Sequence, residues 1–145
     1  MAATSKPRNT PQRGSLTGVR GYGLAAGVIA YAGAIAALNA SGVAVPGSTA
    51  TGLVALGRFA HGADNSGGAA GAVTVEVERG VFRYENSAAA DEITAADIGT
   101  RCYLVDDQTV AKTHATNTRS VAGYVDDVDE LGVWVLLDPT SGASA

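Results

Sequence analysis

Cysteine is almost missing from this chain: Cys102 is the only one in 145 residues, so no internal disulfide can form. It lies in the apolar-rich stretch Arg101-Cys-Tyr-Leu-Val105, where a small buried hydrophobe is the default. A catalytic thiol needs a base. The two histidines, His61 and His114, sit in Gly- or Thr-rich stretches with no nucleophile motif and no metal-ligand spacing. Large apolar residues are scarce as well. Leu, Ile, Val and Phe number 31 in all, near the level of roughly 20% at which chains lose the means to fold. The apolar share of 46% is filled out by 28 alanines, which bury little. The length suits one domain with a thin core, and thin cores gain from burial shared between subunits. A large enzyme, a collagen and a coiled coil are excluded.

Long apolar runs are also lacking. The stretch Leu24 to Leu38 spans 15 residues, short of the roughly 20 that a membrane helix needs, and Ala and Gly dominate it. Its outline imitates a secretory signal peptide. However, the segment before it exceeds twenty residues and holds two prolines, so the expected location is the cytoplasm, with no membrane partner.

Charge is divided unevenly. Residues 1–20 carry Lys6, Arg8, Arg13 and Arg20 and no acid, whereas residues 21–145 hold six bases and fourteen acids. A basic segment on an acidic body reads either as a solvated terminus or as an arm that docks on a partner. No aromatic residue interrupts those four charges, which is a sparse footprint for nucleic acid.

Residues 1–18 read as a flexible basic arm, because Ser, Thr, Pro, Asn and Gln cannot offset ordering entropy by burial. Residues 19–138 form the body and 139–145 a disordered tail. Short strands are expected near 28–31, 34–39, 43–46 and 53–60, with a tight turn at Asn39-Ala-Ser-Gly42. A helix over 24–38 is the alternative, opposed by Gly27 and Gly33. Residues 61–71 read as a flexible loop. Val73, Val75 and Val77 alternate with polar residues, and the phase changes after Gly80 to Phe82 and Tyr84, which marks a bulge or bend. Thr94-Ala-Ala-Asp97 predicts one capped helical turn. The last hairpin runs from Ser120 to Val128, turns at Asp129-Glu-Leu-Gly132 and returns along Val133 to Leu137. The class is all-β: a small barrel or tulip-like body with at most short helical turns. The expected core anchors are Val75, Val77, Phe82, Tyr84, Trp134 and Leu136, the last two as the larger pair on their strand.

Several stretches imitate chemistry. Gly21-Tyr-Gly23-Leu-Ala-Ala-Gly27 resembles a dinucleotide loop but follows no strand and has no acid before Asp64. Asp127-Val-Asp129-Glu-Leu-Gly132 opens like a calcium loop, yet Leu131 offers no oxygen and a strand follows. An acidic hairpin turn is the better reading, with a weak calcium site as its alternative. The pairs at 106–107 and 126–127 suit turn capping better than acid–base work. No nucleophile, base and oxyanion hole assemble, so neither an enzyme nor a cofactor is expected.

Three stretches, Ala44-Val-Pro-Gly-Ser-Thr-Ala-Thr-Gly-Leu-Val-Ala-Leu-Gly57, Val75-Glu-Val-Glu-Arg-Gly-Val-Phe-Arg83 and Asp97-Ile-Gly-Thr-Arg-Cys-Tyr-Leu-Val-Asp-Asp-Gln-Thr-Val110, carry a resemblance. With Arg119-Ser-Val-Ala-Gly123 and Gly132-Val-Trp-Val135, they resemble the capsid decoration, or cement, proteins of tailed bacteriophages. The resemblance implies a β-barrel or β-tulip body, homotrimers on the outside of the virion head, and an N-terminal arm gripping the major capsid protein. Lys6, Pro7, Arg8, Pro11, Arg13, Leu16 and Arg20 would then be the capsid-binding residues. Another phage structural subunit, of head-completion or tail type, or a ligand-binding β-barrel are the alternatives.

Overall fold

The computed structural model describes residues 5–9 and 18–144. Its eleven strands are β1 (Gly18–Gly23), β2 (Ile29–Ala30), β3 (Ile35–Leu38), β4 (Ala44–Pro46), β5 (Val54–Phe59), β6 (Ala63–Asp64), β7 (Thr74–Tyr84), β8 (Arg101–Leu104), β9 (Val110–Ala111), β10 (Val121–Asp129) and β11 (Gly132–Leu137). Two short 3-10 turns, Ala89–Asp91 and Ala95–Asp97, lie between β7 and β8. The protein is all-β, and its main sheet curls strongly into a half-barrel.

The strand order is β4-β3-β5-β7-β11-β10-β8-β9, with β1 also on β7, and β2 pairs with β6 apart from it. The eleven-residue β7 is the spine. Its first half pairs with β1 and β5, and its second half, from Gly80 to Tyr84, pairs with β11. Val75 and Val77 are buried before Gly80, and Tyr84 after it, so the buried face changes phase at the glycine. A Cβ at Gly80 would come within 3.0 Å of the Phe82 ring.

Two apolar cores result. One joins Leu24, Ala36, Leu56, Phe59, Val75 and Val77. The other fills the half-barrel with Ile35, Tyr84, Cys102, Leu104, Val125, Val133, Val135 and Leu137, among others. Strand β3 stands between them: Ile35 and Ala37 face the second core and Ala36 the first. Strand β5 does the same with Ala55 and Leu56. A wall buried on both faces takes uncharged, apolar residues on both sides, and Ile35, Ala36, Ala37, Ala55 and Leu56 meet that need. It also decides against the helix over 24–38, where β2, β3 and turns stand instead.

The free end of the sheet is tied back by loops. Ile35 N–H donates to Asp107 O (2.8 Å), and Thr49 Oγ1 to Val105 O (2.7 Å). The buried Ser120 hydroxyl donates to Ala50 O (2.7 Å) and accepts from Leu53 N–H (3.0 Å). The turn after β3 forms as expected, with Asn39 Oδ1 accepting from Ser41 and Val43 N–H and Gly42 at φ +78°. At Thr94, the Asp97 carboxylate accepts the Thr94 N–H at 2.8 Å, a reciprocal cap.

Three expectations are corrected. Trp134 and Leu136 are not core anchors; Val133, Val135 and Leu137 point inward and the larger pair points out. Residues 139–144 are not a disordered tail, because they turn back and bury Ala143. Residues 61–71 are pinned rather than flexible: Asn65 is buried, and its amide nitrogen faces the carbonyls of Leu24, Ala25 and Ala69 at 2.9–3.1 Å.

Candidate docking face

The outward side of β7, β11, β10 and β8 is built by strand register. One row crosses all four strands as Val81, Leu136, Tyr124 and Arg101. The next crosses three as Arg83, Trp134 and Asp127. Trp134, Leu136 and Tyr124 are half-buried and belong to neither core, and Val81 is 39% exposed. A bulge between Val125 and Asp127 brings Asp127 opposite Trp134.

The tryptophan is held in place. Its indole N–H donates to Asp129 Oδ2 at 2.9 Å, and the Arg83 guanidinium lies 5.5 Å from its ring centroid. Asp129 also accepts N–H bonds from Leu131 (2.8 Å) and Gly132 (3.0 Å), closing the hairpin turn. The indole bond first, then the Leu131 bond, hold the Asp129 carboxyl below its ordinary range, with Arg83 contributing. Those bonds occupy the carboxylate that had suggested a calcium loop. Trp, Tyr and Arg together on one sheet face match the composition of protein-binding hot spots.

Beside this face lies a groove of about 610 Å³ lined by Glu85, Asn86, Glu92, Ile93, Asp129 and Glu130, among others. Among the described residues, no group of three His, Cys, Asp or Glu is placed to hold a metal ion. Cys102 is fully buried in the half-barrel core, and burial pushes its thiol up to about 12. Both histidines serve the backbone: His61 Nε2 accepts from Glu76 N–H at 3.2 Å and His114 Nδ1 from Asn117 N–H at 2.9 Å.

The sequence-derived residues fall in different places. Val75 and Val77 anchor the first core and Tyr84 the second, with Phe82 packed against the second. The Tyr84 hydroxyl donates to Gly33 O at 2.9 Å, and burial raises its pKa. Of the proposed capsid-binding residues, Lys6, Pro7 and Arg8 are exposed. Arg20 lies in the body as expected, in β1 opposite Val77. Pro11, Arg13 and Leu16 lie outside the described residues. Sequence reasoning missed Arg83 and Asp127 as strand partners of Trp134, and Tyr124 as that of Leu136. The alternation of Val81 and Arg83 with Phe82 and Tyr84 was the available clue, but only strand pairing joins it to Trp134. Among the described residues, no helix is long and apolar enough to cross a membrane. Compared with protein families, curated proteins and solved structures, the chain matches none.

Proposed function

We propose that this chain is a structural decoration protein of a tailed-bacteriophage head. It binds the outer capsid surface and stabilises the lattice of the major capsid protein, as a homotrimer on the virion, after synthesis in the host cytoplasm. The observation that carries the reading is the outward face of Trp134, Tyr124, Leu136 and Arg83, an interface composition on a body that pairs or covers most of its strands. The resemblance of residues 44–57, 75–83 and 97–110 supplies the context. The basic segment before Val19 supports it further, because if the capsid exterior is acidic, the acidic body alone is repelled and Lys6, Arg8 and Arg13 provide the attraction. Repetition over a shell turns weak contacts into stable attachment. In this reading the protein works by area and avidity, with no reaction.

The test mixes the full-length protein with undecorated expanded heads assembled from the major capsid protein encoded with it, then pellets the heads. Saturable co-sedimentation is expected, with occupancy falling at least tenfold for a chain that begins at Val19. Full-length protein left in the supernatant at every concentration would overturn the proposal.

A further inference from the structure

We infer that the outer face of β7, β11 and β10 pairs with the same face of a second copy about a twofold axis running along β11. The row Arg83, Trp134, Asp127 is self-complementary. It places a cation on one flank of β11, an anion on the other, and an indole between them. Rotation by 180° about β11 lays β7 of one copy over β10 of the other. Each Arg83 then faces Asp127 of the second copy, the two indoles meet on the axis, and Val81 meets Tyr124 in the row of Leu136. Both flanks are satisfied at once, as an isologous contact requires. No other simple partner is specified so fully: an acidic surface would leave Asp127 opposed, and a basic one Arg83. Arg83 and Asp127 are both exposed, so they are available to it. Packed sheets hold their strands within about 30° of each other, which a face led by β11 permits. The bonds that fix Trp134 lower the ordering cost of association.

This pairing needs no capsid, and it covers the same outward face that carries the capsid reading, so the dimer is a free form that must open before that face meets a head. Its test therefore fails separately from head binding. Sedimentation velocity and native mass spectrometry are run on the full chain over a concentration series reaching the high micromolar range. A monomer–dimer equilibrium is expected. Arg83→Asp alone and Asp127→Arg alone should each weaken it at least tenfold, by about 1.4 kcal/mol or more. An equimolar mixture of those two variants should form a heterodimer close to wild type in strength, because each pair regains opposite charges. Circular dichroism and melting of each variant check its fold. If either variant is perturbed, Leu136→Lys, which sets like charges on the axis, carries the same expectation of loss. A monomer throughout the series overturns the inference, as does a dimer or trimer that survives the single variants. Mixed variants that do not associate, although folded, overturn it too.

Discussion

Trp134 shows how much a residue's role depends on its surroundings. Its side chain is only partly buried and is held by Asp129 and Arg83, whereas Leu137, three positions on, is fully buried. Trp134→Ala should therefore cost only about 1 kcal/mol in thermal or urea unfolding. Leu137→Ala should cost about 2–5 kcal/mol, because it opens a cavity in a closed core. The reverse order would return the tryptophan to the interior. Asp97 makes a second prediction. The Thr94 N–H bond is the largest cause of its lowered pKa, with the Lys112 ammonium 3.4 Å away adding to it. A depressed folded pKa means that its contribution is fully present above about pH 4, the unfolded value, and is lost as pH falls through the folded value. Asp97→Asn should reduce stability at neutral pH and flatten the acid limb of a pH–stability curve. An unchanged acid limb would show that the cap carries no linkage.

At the scale of elements, the half-barrel is closed by loops as much as by ladder. Ser120 stands at the entrance of β10 and holds the loop between β4 and β5 through Ala50 and Leu53. Ser120→Ala leaves a part-buried carbonyl and amide without that partner, and should cost about 1 kcal/mol. Hydrogen exchange should show the loss first at the Leu53 amide, before the β10–β11 ladder. Gly123 limits the same strand differently. A Cβ there would collide with the Leu136 carbonyl of the paired strand, where the backbone cannot yield cheaply. Gly123→Ala should destabilise by about 1–3 kcal/mol, the range of an overpacked core, in chemical denaturation. The apolar alternation of β7 and the turn residues around Gly42 could be read along the chain. The closure at Ser120 could not, because its partners lie about seventy positions away.

For the whole molecule, the wall of β3 and β5 ties the two cores together. Ile35 and Ala36 are neighbours in sequence but belong to different cores, so neither core can open alone without stripping the other. Unfolding should be a single cooperative transition, with calorimetric and van't Hoff enthalpies equal. Leu56→Ala in one core and Leu104→Ala in the other should shift that same transition. Two resolved transitions would show that the cores are independent.

The all-β class, the β7 strand with its phase change at Gly80, the capped turn at Thr94 and the last hairpin are all legible along the chain. Each depends on a local rule: period-two alternation, glycine at a bend, a Thr cap with an acid three residues on. Tertiary structure decided which side of β11 faces inward. Alternation states only that Val133, Val135 and Leu137 share one side and Trp134 and Leu136 the other. The half-barrel interior is filled by Tyr84, Leu104 and Val125 together with Val133, Val135 and Leu137, and Trp134 belongs to neither core. The larger pair was turned outward, where pairing with β7 and β10 assembled Arg83, Trp134 and Asp127 into one row.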